Sequence, residues 1–135
     1  MPKPAYSAGR RLPLTPITWV GSARADLKAC PPEVQNVVGF ALLEAQRGGL
    51  PLAAKRLRGD LRGLLEIVTD AAAGTYRAVY TAKLAGRIYV LHVFQKKSTH
   101  GIATPKREFD LIQARLRWAR WHHAQLEAGS PLEEE

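Results

Sequence analysis

Six cationic or ionisable positions stand where this chain could do chemistry. Arg77 lies inside TYRAVY, a segment otherwise made of core-type residues, and Lys96-Lys97 close the apolar run RIYVLHVFQKK. Glu66 interrupts LLEIV at a place where an apolar residue is expected, His92 alternates with Val90 and Phe94, and His100 sits in a polar loop beside the two lysines. Cations set at the mouth of a sheet suit a phosphodiester, because a guanidinium binds phosphate oxygens in a forked geometry and an ammonium acts as a point charge. An imidazole or carboxylate nearby could move a proton. Each residue also has a plainer reading. Arg77 can pair with Glu66 on a neighbouring strand, strand-end lysines are commonly solvated, and a lone strand histidine is more often a hydrogen-bonded core residue than a catalyst.

Other chemistries lack their residues. His122-His123 has neither the i, i+4 spacing nor the carboxylate partner of a zinc helix, and adjacent histidines near a helix end are expected to be solvated. No glycine-rich phosphate loop follows a strand, and no serine sits in a nucleophile elbow. With Asp60 and Asp70 bordering loops and Glu66 mid-strand, a two-carboxylate metal site is not expected, so neither a metal nor a cofactor is predicted. Cys30, between Ala29 and Pro31, reads as packing at a helix boundary. Tyr76, Tyr80 and Tyr89 read as packing residues, and Trp118 and Trp121 share a helix face with Arg115, where they could stack on bases but better suit covering the sheet or gripping a partner.

The elements that must position these residues follow from periodicity. Pro2, Pro4, Pro13 and Pro16 mark residues 1–16 as a tail. Ile17, Trp19 and Val20 suggest a short strand, and Ser22 suits the N-cap of a helical turn through Leu27. Pro31 and Pro32 fit the first positions of a helix carrying Val34, Val37, Val38, Ala41, Leu42 and Ala45, which Gly48-Gly49 ends. Leu50 to Arg58 reads as a basic connector. LLEIVTD, TYRAVYTAKL and RIYVLHVFQKK then form a three-stranded meander with Gly74 and Gly86 in the gaps. The last run is apolar on both parities, which predicts an interior strand with helices on one side and a functional surface on the other. Ser98 to Pro105 is a polar loop, and a basic helix follows with Phe109, Ile112, Leu116 and Ala119 on its apolar stripe. The expected organisation is one α+β domain over 17–126, with an acidic tail at 127–135.

Composition sets the outer limits. With 46% hydrophobic residues and 135 positions, the chain can bury a core without disulfides, and its one cysteine excludes a disulfide framework. No apolar run approaches a membrane span, and the N-terminus has no signal-peptide core, so a cytoplasmic protein without membrane contact is expected. The net charge is +8 and the pI about 10.1. The bases concentrate in the connector, at the mouth of the sheet and on the last helix, while Glu133, Glu134 and Glu135 dilute the total far from them. That distribution suits a polyanion.

Taken in order, the glutamate in LLEI, the arginine in TYRAVY, LHVFQKKS closing the long strand and TPKREF opening the last helix resemble the HigB-like, phage-related branch of the RelE/ParE toxin superfamily. GFALLEAQRGGLPLAAKRLRG is similar as well, so the resemblance spans about Ile17 to Arg120. It implies a small RelE-like fold, with two N-terminal helices packed on a twisted antiparallel sheet and a C-terminal basic helix. It also implies the toxin of a type II toxin–antitoxin system, held by a helix-turn-helix antitoxin of the HigA kind. The implied activity is metal-independent cleavage of mRNA on the ribosome by 2′-OH attack, which inhibits translation. Under that resemblance Arg77 and Lys97 fall to the phosphate, Glu66, His92 or His100 to acid–base work, and Lys96, Lys106, Arg107 and Arg58 to RNA binding. Glu66 and Val68 stand where the RelE branch has lysines, and Phe109 where it has a tyrosine. A ParE-like toxin that poisons DNA gyrase, or a non-catalytic phage-derived nucleic-acid-binding protein, is the alternative.

Overall fold

Proline and glycine punctuate the N-terminal half as the sequence suggests. The computed structural model describes residues 13–82, 84–96 and 104–129. Strand β1 (Ile17–Trp19) leads into α1 (Ala23–Lys28), and α2 (Pro32–Gln46) follows with Pro31 at its N-cap and Pro32 at its first position. Val34, Val38, Ala41 and Leu42 form the buried stripe of α2, whereas Val37 and Phe40 point outward. Gly48 ends the helix at φ +92°, a backbone that residues with a side chain rarely adopt. Ser22 does not cap α1 with its side chain; its hydroxyl instead donates to Asp26 Oδ2 at 2.7 Å.

The stretch read as a connector contains a strand. Strand β2 (Ala54–Arg56) pairs antiparallel with β3 (Leu64–Ala71), and a 3₁₀ turn (Gly59–Leu61) lies between them. Next come β4 (Gly74–Thr81), β5 (Ile88–Lys96) and α3 (Lys106–Glu127). The sheet therefore has five strands, the short N-terminal strand and the unforeseen β2 flanking the expected meander, in the order β1-β5-β4-β3-β2. All neighbours are antiparallel except β1, which runs parallel to β5, so the expected antiparallel sheet carries one parallel edge. No helix among the described residues is long and apolar enough to cross a membrane.

Helices cover both faces of this sheet, which corrects the expectation of a face left open. On one side Val34, Val38, Ala41 and Leu42 of α2 pack with Ala23 and Leu27 of α1 against Leu65, Ile67, Ala78, Tyr80, Val90 and Val93. On the other, Ile112, Leu116 and Ala119 of α3 meet Leu64, Val79, Tyr89, Leu91 and Phe94. β5 is interior because both apolar parities are used, as its sequence requires. A bulge breaks its register: Tyr80 faces Val90 but Val79 faces His92, leaving Leu91 as the extra residue. Leu91 and His92 consequently both turn toward α3, which delivers a polar side chain to a face that strict alternation would have given to carbon.

Candidate functional site

Cross-strand register gathers the polar residues. Lys55 on β2 lies opposite Glu66 on β3, Glu66 opposite Val79 on β4, and Val79 opposite His92 on β5. Directly opposed residues share a face. The next row holds Val68, Arg77 and Phe94, and the one beyond holds Asp70, Thr75 and Lys96. Glu66, Arg77, His92 and Lys96 thus occupy the face on which α3 packs, within three adjacent rows.

Two charged or polar pairs organise that face. Arg77 Nη1 donates to Glu66 Oε1 at 3.0 Å and to Oε2 at 3.1 Å, a diagonal contact between adjacent rows. Glu66 is 1% exposed and Arg77 8%, and Arg77 Nε has no hydrogen-bond partner among the described residues. The ion pair weighed for these two residues is therefore present, and Glu66, buried with both oxygens turned to Arg77, is out of a substrate's reach. His92 Nε2 lies 2.5 Å from Glu108 Oε1 on the first turn of α3. Its Nδ1 is 3.5 Å from Arg115 Nη1, which donates to Leu91 O at 2.8 Å. The ring also stacks on Phe94, with centroids 4.8 Å apart. His92 is neither solvated nor a lone core residue: a carboxylate, a guanidinium and an aromatic ring fix its orientation.

The remaining predicted residues spread around this centre. Lys96 is the half-buried last residue of β5, opposite Thr75, whose hydroxyl donates to Asp70 Oδ1 at 2.7 Å. Lys106 and Arg107 are exposed at the start of α3, with Lys106 Nζ 2.9 Å from Asp110 Oδ2. Arg58 is exposed just before the 3₁₀ turn. Lys97 and His100 lie outside the described residues, as does most of the loop read at Ser98 to Pro105. Among the described residues no cluster of three or more His, Cys, Asp or Glu could hold a metal ion.

Sequence reasoning missed Glu108, Arg115 and Lys55. Glu108 sits in TPKREF, where an acid in the first helical turn reads simply as complementing the helix dipole. Lys55 becomes part of the row only because β2 exists. His122, expected in solvent, is buried: its Nδ1 lies 2.7 Å from the Tyr89 hydroxyl, and Trp118 stacks on its ring at 4.7 Å. Cys30 packs against the core as read; burial first and the Asp26 carboxylate second push its thiol pKa up, and the thiol donates to Asp26 O at 3.3 Å. Such a thiol is a poor nucleophile.

An α+β sandwich with a two-pair polar row on its sheet is thus the class of protein that fold and site define. The chain belongs to the phage-derived Gp49-like proteins, a RelE-like toxin family, and matches it over residues 25–117. Among solved structures it is similar to a chain of the toxin–antitoxin complex RelBE2 from Mycobacterium tuberculosis. The identity is 30% over 63% of this chain and 100% of that chain, at a TM-score of 0.44. A search of curated proteins found no match.

Proposed function

We propose that the protein is the toxin of a toxin–antitoxin pair and that it cuts mRNA without a metal, on the ribosome, under the control of a helix-turn-helix antitoxin. The observation that carries this reading is the carboxylate-held imidazole, His92–Glu108, on the sheet face that also presents Lys96 and Arg77. Cleavage by 2′-OH attack needs three things: a base for the hydroxyl proton, cations for the charge growing on the phosphorane, and an acid for the leaving oxygen. O2′ bonds to phosphorus as its proton passes to Glu108, the P–O5′ bond breaks, and O5′ takes a proton from solvent, to which Glu108 then returns its own. The products are a 2′,3′-cyclic phosphate and a 5′-OH end, with no water consumed.

Exposure supports a division of roles. Within the pair the Glu108 side chain is 22% exposed and that of His92 7%, so Glu108 is the member that meets the 2′-OH while His92 orients it. Lys96, with Lys97 beyond it, supplies positive charge to the phosphate. Arg77, already neutralised by Glu66, acts as a positioning residue that keeps a guanidinium within the sheet. Lys106, Arg107 and Arg58 are exposed bases that suit the RNA backbone on either side.

The test is expression from a tight promoter, followed by mapping of mRNA 5′ ends. New 5′-OH ends are expected with the natural chain, none with Glu108→Gln, and about tenfold fewer with Lys96→Ala. Co-expression of a neighbouring helix-turn-helix protein should restore growth. Growth arrest with intact mRNA and double-strand DNA breaks would overturn the nuclease in favour of a gyrase poison.

A further inference from the structure

A groove of about 680 Å³ runs between β1, with the start of α1, and the flank of α3, on the opposite edge of the sheet from β2. Three arginines line it: Arg24 of α1, Arg87 before β5 and Arg115 of α3. Trp19, Trp118 and His122 supply its aromatic wall, and no Asp or Glu is among its lining residues. The acid of α1, Asp26, is engaged by the Ser22 hydroxyl. Arg24 is exposed and makes no hydrogen bond or ion pair with the described residues, whereas Arg87 and Arg115 are held by Thr18 Oγ1 at 2.8 Å and Ser22 Oγ at 3.2 Å.

The aromatic wall is built as a stack. The indole of Trp118 lies on His122 with 19° between the planes and stands edge-on to Tyr89 at 78°, yet the residue stays 41% exposed. Leaving an indole in water beside a cationic groove forgoes burial that a monomer would otherwise gain. Gly21 closes the floor: with φ +57° it passes so near Arg115 that a Cβ there would come within 2.8 Å of the guanidinium carbon. The missing side chain leaves room for the Arg115 guanidinium to lie across the groove while it reaches Leu91 O.

We infer that this groove binds one nucleotide of a single-stranded RNA, with the base continuing the Trp118–His122 stack and the phosphate on Arg24 and Arg87. Its volume falls in the range of small-ligand sites, and its lining pairs the two features single-stranded nucleic acid requires, a stacking platform and fixed cations. The inference rests on the proposed action on RNA for its choice of polymer but not on cleavage. Arg115 touches both the groove and the His92 ring, so the strand seated here would run on toward the Glu108 pair.

The experiment titrates the full-length chain into a fluorescein-labelled, 2′-O-methylated RNA octamer, which cannot be cut, and follows anisotropy at several salt concentrations. Trp118→Leu should weaken binding about tenfold, and Arg24→Gln about threefold with a salt slope shallower by about 0.7. Both variants should keep the natural circular dichroism spectrum, since both positions are exposed. Unchanged affinity in both variants overturns the groove, as does a natural chain that fails to bind the octamer. The two readings separate cleanly. Trp118-dependent binding without new 5′-OH ends in cells sinks cleavage and keeps the groove; cleavage with Trp118-independent binding does the reverse.

Discussion

The two faces of β3, β4 and β5 are built from the same eight- or nine-residue strands and differ in what they bury. Toward α1 and α2 the sheet offers Leu65, Ile67, Ala78, Val90 and Val93 with the rings of Tyr76 and Tyr80, and the Tyr80 hydroxyl is buried there without a partner among the described residues. Toward α3 it offers Leu64, Val79, Leu91 and Phe94, interrupted by Glu66, Arg77 and His92. Desolvating a carboxylate and a guanidinium costs about as much as their attraction returns, so the pair adds little stability over apolar residues of the same shape. Its confinement to one parity leaves the first face to apolar packing and puts the second under the proposed chemistry.

That comparison is broken most directly at Arg77. Arg77→Ala leaves the Glu66 carboxyl 1% exposed and without its partner, and should cost about 3–5 kcal/mol in urea unfolding. Replacing both, Glu66→Gln with Arg77→Met, should return most of that loss. If the double variant is as unstable as the single, the pair holds the fold together and the two faces are not divided as described. For the same reason loss of activity in Arg77→Ala alone says nothing about phosphate binding. On the opposite face Ile67→Ala should cost about 3 kcal/mol through its cavity, and no second substitution across the pair rows should restore it.

Glu108→Gln sharpens the contrast in the other direction. The amide keeps the shape and can still hydrogen-bond His92 but cannot take a proton, so stability should change by less than about 1 kcal/mol while cleavage falls at least about 100-fold. Equal losses of both would mean that the α3 face is structural too.

Much of this division was legible in the strands themselves. Glu66, Arg77 and His92 stand out because each breaks an apolar pattern, and Pro31-Pro32, Gly48 and the α3 stripe bound their helices through local geometry alone. The parts that escaped depend on distant partners. Ala54-Lys55-Arg56 has no alternation to read and becomes a strand only by pairing with Leu65, Glu66 and Ile67. β1 is three residues long, and nothing local tells that it runs parallel to β5. The bulge at Leu91 decides which face receives His92, and neighbouring residues on the same strand do not announce it. Glu108 looks like any acid in a first helical turn until α3 is laid across β5. Periodicity reports faces; it does not report which helix covers them.

Tyr80 gives the smallest and cleanest test, because its hydroxyl is buried in the apolar face without a partner among the described residues. The residue is 1% exposed. Burial pushes its pKa up to about 12, with Arg56 pulling it down and Glu44 pushing it up by less. Below pH 10 the folded and unfolded chains both hold the proton, and the group adds no pH dependence. Between pH 10 and about 12 the unfolded chain releases it while the folded chain keeps it, so the unfolded state binds fewer protons and stability falls as pH rises. Tyr80→Phe removes that linkage. The variant should match or slightly exceed the natural chain at pH 8, since an unsatisfied hydroxyl leaves the core, and should lead it by a further ~1.4 kcal/mol by pH 11. Parallel urea midpoints at both pH values would mean that the hydroxyl finds a partner in solution, and that the α1–α2 face is less purely apolar than its packing indicates.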